Sequence, residues 1–482
     1  MTTIKDLNPK VVWDHFDAIC KVPRPSKREE KIIEFLLDFA KQHNIEAKRD
    51  TIGNVVMKKA ATAGMENKPT VILQSHMDMV CEKNRDKVHD FDKDPIIPIV
   101  DGEWVRADDT TLGADCGIGM AAQMAVLTDE TISHGPVECL FTVDEETGLT
   151  GAMELEDDML TGKILLNLDS EDDGEIFIGC AGGIDTLANF QFDKEEVDAS
   201  LFPLKVEVKG LLGGHSGDEI NKGRANANLL LVRFLWAIDK EFGIRINQID
   251  GGNLRNAIAR EASAIIMVPK ASKEEIIAKF NIFRCDQEHE WELTEPNLEM
   301  HIGSTDTPDF LIDKDTQFRL LNSVLSCPHG VLAMSYRMPG MVETSTNLAS
   351  IKFKDDKIHV TTSQRSDIES GKIYAASKVE AVFNLAGAKT KHSDGYPGWA
   401  PNPESPIMKV VRDSYQELFQ QEPDVKSIHA GLECGLFLTK YPQLDMVSFG
   451  PTIRMAHSPQ EKIEIKTVEK FWAHLCDVLQ KL

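Results

Sequence analysis

Nine cysteines are scattered over 482 residues with no C-x-x-C pair and no regular spacing. That pattern excludes a disulfide-stapled secreted scaffold and fits reduced thiols in the cytoplasm. No uncharged apolar run reaches the ~18 residues of a membrane span, and the opening "MTTIKDLNPK" lacks the apolar stretch of a signal peptide. Neither feature is therefore expected. Positive charge is also short: 53 Lys and Arg against 78 Asp and Glu leave a formal charge of −25. Phosphate recognition needs clustered cations, so nucleic acid and anionic membrane surfaces are disfavoured as partners and none is expected. No tandem repeat or low-complexity tract is found.

What is present is a chain able to build a sizeable core, 42% hydrophobic and 27% charged, and long enough for two domains. Apolar spacing predicts helices in "PKVVWDHFDAIC" and in "SKREEKIIEFLLDFAKQHN", the second with Ser26 as its N-cap. Strand-like "TIGNVVMKK" and "PTVILQSH" are followed by a Gly-rich helix start, "TLGADCGIGMAAQMAVL". Next come a strand "VECLFTVD", a short helix near "GAMELE" and a strand "KILLNLDSED". Strands alternating with helices predict an α/β sheet with helices on its faces. Beyond about residue 188 the order becomes β-α-β-β-α, and a second comparable set follows, which reads as two α+β half-units sharing one sheet. After the Pro-rich "DGYPGWAPNPESP", the helix "IMKVVRDSYQELFQQ", the strand "LDMVSFG" and a terminal helix from Thr467 return to α/β alternation. The expected organisation is one domain built from 1–187 and 397–482, interrupted by an inserted α+β domain over 188–396.

Ionisable residues recur where these strands end: His76 and Asp78 in "SHMDM", Glu145 and Glu146 in "DEETGL", Asp169 in "NLDSED", and His457 in "AHSP". Asp115 stands at the helix start "GADCGIG". Any one of them alone reads as a cap or a solvated turn. Their repetition at one topological place, where open α/β sheets bind ligands, points to a shared site. Two histidines and several carboxylates gathered there repel one another unless a cation compensates. Mixed nitrogen and oxygen ligands suit zinc, cobalt or manganese. Five ligands suit two ions that share a bridging carboxylate and polarise a water between them.

Together with "GGHSG" and "HAGLECG", these motifs closely resemble, in order from about residue 7 to the C-terminus, those of the aminoacyl-histidine dipeptidases. This is the cytosolic Xaa-His branch of the two-zinc aminopeptidase and carboxypeptidase clan. The resemblance implies an α/β two-zinc catalytic domain with a mixed sheet and flanking helices, interrupted by an inserted α+β lid and dimerisation domain. It implies that His76 and Asp169 hold one zinc, Glu146 and His457 the other, and that Asp115 bridges them across a cis Asp115-Cys116 bond. Cobalt or manganese would substitute. It gives Glu145 the role of general base and Asp78 that of an acceptor for the second ring nitrogen of His76. It further implies that His215 stabilises the oxyanion in the neighbouring subunit's site of a homodimer, and that Asn256, Arg365 and Gly431 contact a dipeptide substrate. From the residues alone, His215 also reads as a structural turn histidine, and Glu433 as a cap or loop residue or a contact for the substrate amine. One departure from the family pattern is Ala259, where a Pro is usual. The readings set against a dipeptidase are an N-acyl amino acid amidohydrolase on the same scaffold and a non-catalytic peptide-binding protein.

Overall fold

The computed structural model describes residues 3–354 and 356–482. Two compact units are present: the first runs to Gly179 and resumes over Trp399–Ser427 and Leu432–Leu482, and the second is Cys180–Gly398 with Ile428–Gly431. Set against the expected breaks after 187 and 396, the first boundary falls earlier. Its cause is the strand Gly182–Gln191, which pairs along its whole length with Lys357–Ser366 of the second unit.

The first unit is built on a mixed sheet of β1 (Glu46–Arg49), β2 (Val55–Lys59), β3 (Val71–His76), β4 (Val137–Thr142), β5 (Ile164–Asn167), β6 (Glu175–Cys180), β7 (Asp424–Ile428) and β8 (Asp445–Ser448). Their order is β1-β2-β4-β3-β5-β8-β6-β7. The central four, β4, β3, β5 and β8, are mutually parallel, so their carboxyl ends share one edge. β2 joins β4 antiparallel and β6 joins β8 antiparallel. Every residue of β3 and β4 is buried, which is why both read as unbroken runs rather than as alternating patterns.

Helices Lys10–Cys20 and Glu30–Gln42 bury the faces their spacing predicts: Val12, Trp13, Phe16 and Ile19 on one, Ile32, Ile33, Leu36 and Phe39 on the other. Each fully buried side chain of this size contributes about 1.5–3 kcal/mol. Ser26 is not the cap of the second helix; Glu29 holds that place without a side-chain cap bond. A small antiparallel sheet orders Ile453–Arg454, Lys462–Glu464, Trp104–Ala107 and Pro98–Asp101, and it displays residues 455–461 as the loop between its first two strands.

The second unit holds a nine-stranded sheet whose described pairings are antiparallel. Its two halves meet through one residue pair, Gly251 opposite Ile351, so the two half-units do share a sheet. Phe190, Phe234, Phe280 and Phe383 fill its core. The helix Lys314–Ser326, unforeseen in the sequence reading, starts at Asp313, whose side chain accepts from Thr316 N. Among the described residues no helix is long and apolar enough to cross a membrane.

The terminal helix Ile465–Lys481 is tied to helix Pro406–Phe419 by His474, whose Nε2 lies 2.8 Å from the Val411 carbonyl. Burial lowers the His474 pKa to about 4. The unfolded chain, with an ordinary His, takes up this proton near pH 6.5 while the native state does not, so stability is lost as pH falls from about 6.5 to 4. The expected contribution is about 3 kcal/mol. Urea unfolding of His474→Gln, which keeps a donor but does not titrate, is expected to show a correspondingly shallower loss across that window.

Candidate metal centre

The shared carboxyl edge of the four parallel strands gathers the ionisable groups. β3 ends on His76. From β4 the chain turns through Asp144, in the left-handed conformation at φ 50°, into the short helix Glu145–Gly148, and leaves it through Leu149 at φ 55°. β5 delivers Asp169 two residues past its end. His457 sits in the 455–461 loop with φ 62°. Left-handed backbone costs a non-glycine residue about 1 kcal/mol or more and persists where the surroundings over-determine it. Three such residues here carry or flank the gathered side chains.

Asp115 stands between the two histidines. Its Oδ1 is 3.0 Å from His76 Nε2 and its Oδ2 is 3.2 Å from His457 Nε2. His76 Nε2 also lies 3.3 Å from Asp169 Oδ1, and His457 Nε2 lies 2.9 Å from Glu146 Oε2. Glu145 joins the same group, with ligand atoms of His76, Glu145 and Glu146 all within 4.8 Å of one another. The expected metal residues therefore assemble as two clusters sharing Asp115. The Asp115-Cys116 bond is cis.

Asp78 stands beside His76 as expected, but its hydrogen bonds go elsewhere. Its Oδ1 stands 3.3 Å from His76 Nδ1 but outside hydrogen-bond geometry. Its two oxygens instead accept from Glu145 N at 3.0 Å, Glu146 N at 3.3 Å and Ser26 Oγ at 2.7 Å. Ser26, assigned to a helix cap from sequence, thus helps hold the turn that presents Glu145 and Glu146. Glu433 is neither cap nor loop: it is fully buried as the first residue of helix Glu433–Lys440. Its Oε2 accepts from Gln74 Nε2 at 2.6 Å and Thr142 Oγ1 at 2.8 Å.

Electrostatics follow from crowding. Burial resists protonation of His76, yet Asp169, Asp115 and Asp78 around it raise its pKa well above the ordinary value. Hydrogen bonds to Asp115 and Glu146 lift His457 to about 11. Burial, with Asp169, Glu146 and Glu433 nearby, drives Glu145 well above the usual carboxyl range. Glu146 Oε1 and Asp169 Oδ1 are buried with no hydrogen-bond partner among the described residues. Unsatisfied buried acceptors and a mixed nitrogen and carboxylate donor set fit a pair of divalent cations.

The second unit gathers the remaining predicted residues by itself. His215 pairs in a β-bridge with Ala257, beside Asn256, whose carbonyl accepts from Ser216 N at 2.8 Å. A cavity of 760 Å³ opens there, lined among others by His215, Asn256, Leu254 and Ala259. Arg365 Nη1 donates to the Tyr396 hydroxyl at 3.1 Å, Nη2 lies 3.5 Å from His215 Nε2, and Nε is buried with no hydrogen-bond partner among the described residues. Gly431 leaves room for the Tyr396 ring, which a Cβ there would approach to 2.9 Å.

The sequence profile of the Peptidase family M20/M25/M40 matches residues 72–481, and the chain belongs to that family. The cytosol non-specific dipeptidase of Escherichia coli (strain K12) is 45% identical over 485 residues, covering 100% of this chain and 99% of the relative. The crystal structure of aminoacylhistidine dipeptidase from Vibrio alginolyticus superposes with a TM-score of 0.93 at 44% identity, covering 100% of this chain and 98% of that one. A tripeptidase structure from Staphylococcus aureus, at 17% identity and a TM-score of 0.57 over 98% of both chains, shares the fold.

The helix carrying Asp115 packs closely against the strand ends. A Cβ at Gly119 would lie 2.7 Å from Cys116 Sγ and 2.8 Å from the Leu168 carbonyl. Gly119→Ala is expected to lose about 1–3 kcal/mol by overpacking. Because the displaced groups adjoin Asp115 and Asp169, bound metal measured on the purified variant is expected to fall with it.

Proposed function

We propose that this chain is a cytosolic metallo-dipeptidase that hydrolyses unblocked dipeptides, Xaa-His dipeptides among them, with two zinc ions per subunit. The observation that carries the reading is Asp115 presenting one oxygen to each of two imidazoles, in a chain that matches the two dipeptidases end to end. His76 and Asp169 would hold one cation, Glu146 and His457 the other, with Asp115 between them. When bound, the pair supplies Lewis acidity to the scissile carbonyl and lowers the pKa of a water between the ions.

The protein's own groups do the rest. Glu145 accepts a proton from the attacking water at its carboxylate and returns it to the leaving amine. A buried carboxyl beside other carboxylates holds a proton more tightly than an exposed one, which suits that task. Asp78 holds the N–H groups of Glu145 and Glu146, keeping the base and the ligand in separate places. Arg365, whose Nε has no hydrogen-bond partner among the described residues, would receive the substrate's terminal carboxylate as a bidentate partner. Asn256 and Gly431 would contact the dipeptide. His215 would stabilise the oxyanion in the neighbouring subunit of a homodimer built through the inserted unit.

Turnover of Xaa-His and ordinary dipeptides, abolished by chelation and restored by zinc or cobalt, is the expected result; preference for N-acetyl amino acids would mark an acylase instead. Glu145→Gln should lose most turnover with metal content near normal, and Glu146→Gln should lose metal. Equal metal loss in both would overturn the division of roles. His215→Ala and Glu145→Ala should each be nearly inactive and should regain activity when their subunits are exchanged. Mixed dimers that stay inactive would exclude the shared site.

A further inference from the structure

The loop that carries His457 also carries Glu461, a carboxylate that is 2% exposed. It accepts four successive main-chain amides. Its Oε2 takes Leu112 N at 2.7 Å and Gly113 N at 2.9 Å, and its Oε1 takes Ala114 N at 2.7 Å and Asp115 N at 3.4 Å. The same turn is held from its carbonyl side by Arg24, also 2% exposed. Arg24 Nη2 donates to Gly113 O at 2.5 Å, while Nη1 donates to Asp78 O at 2.8 Å. Gly113 has φ 68°, and a Cβ there would meet Arg24 Nη2 at 2.5 Å, so this residue is glycine for two separate reasons. The turn before Asp115 is thus gripped on both faces by buried opposite charges. The anionic grip and the His457 imidazole, 3.2 Å from Asp115 Oδ2, come from one seven-residue stretch, 455–461.

We propose that Glu461 is a positioning residue for the metal pair: it fixes the backbone of Asp115 so that each carboxylate oxygen faces its own ion, and thereby couples the binding of the two. The inference rests on the two-metal reading above. A purely structural carboxylate on helix amides would stabilise the fold and leave ion affinity unchanged in the folded protein. A positioning carboxylate changes the affinity of both ions, because both share Asp115.

The test is a competition titration of zinc against a chromophoric chelator, run on metal-free full-length wild type, Glu461→Gln and Glu461→Asp. Circular dichroism and thermal midpoints of the metal-free proteins accompany it. Wild type is expected to take two ions. In Glu461→Gln, which keeps the volume but weakens the four-amide grip, both ions should weaken together by roughly 10–100-fold, the usual effect of removing a group that orients a ligand. Glu461→Asp, with its shorter reach, should fall in the same direction.

A folded Glu461→Gln that binds both ions with wild-type affinity overturns the proposal. So does weakening confined to one ion, which would trace the effect to His457 alone. If Glu461→Gln does not fold, Glu461→Asp is judged by the same criteria, and if neither folds, Glu461 serves the fold and the assignment falls. A wild-type protein that takes up a single ion overturns the two-metal reading and this proposal with it, whereas two ions in wild type and an unaffected variant overturn this proposal only.

Discussion

The two oxygens of Asp115, each turned to a different imidazole, impose the constraint that the rest of the first unit meets. A carboxylate can face two partners only if its backbone, both imidazoles and the flanking carboxylates are all held. Each hold is visible. β3 supplies His76 at its last residue, and Arg24 ties the carbonyls beyond it to Gly113. Asp78 and Ser26 secure the turn that follows β4. Crowding carboxylates this closely costs several kcal/mol of repulsion and desolvation, and that cost explains why so much hydrogen bonding surrounds the site.

Beneath the ligands lies a polar layer that an α/β core would ordinarily fill with hydrocarbon. Asn167 Nδ2 donates to Gln74 Oε1 at 2.5 Å, Gln74 and Thr142 both donate to Glu433, and Ser448 donates to Asn167. Ser448 and Ser170 share a further bond at 2.7 Å. All of these residues are buried. The chain of bonds runs across β4, β3, β5 and β8, one residue from each strand, so the strand ends are locked to one another just below the residues they deliver. Buried polar groups satisfied in this way favour one register over its neighbours.

Much of this was legible in the residues, because strands buried on both faces leave unbroken apolar runs and helices buried on one face leave a helical period. Val71–His76, Val137–Thr142 and the helices at either end were legible on that ground, and the strand-end ligands stood out because the same residue types recur at equivalent places. The carriers of second contacts were not. Ser26 has the look of an N-cap, and only the fold brings it to Asp78, 52 residues away. Glu461 sits in a polar stretch and Glu433 at the start of a short helix, where a solvated or capping carboxylate is the ordinary reading; their burial depends on partners hundreds of residues distant. Short strands such as Glu46–Arg49 escaped because half-exposed runs of four residues carry too little pattern. Helix Lys314–Ser326 had a readable signal in Asp313, three residues before the amide it caps.

The place of β8 in the sheet has a temporal meaning. Asp445–Ser448 lies between β5 and β6, two strands that leave the ribosome more than two hundred residues earlier. At roughly 5–20 residues per second, a nascent chain holds that slot open for a period on the order of tens of seconds. Through that interval β5 has an unpaired edge and Leu165 and Leu166 lack their later neighbours, while the core of the second unit, Ala188 to Ala388, is completed before Asp445 is made. The order of synthesis therefore lets the inserted unit fold first. Hydrolytic machinery assembles only when the last central strand slides into the gap, so an incomplete chain carries ligands without a site.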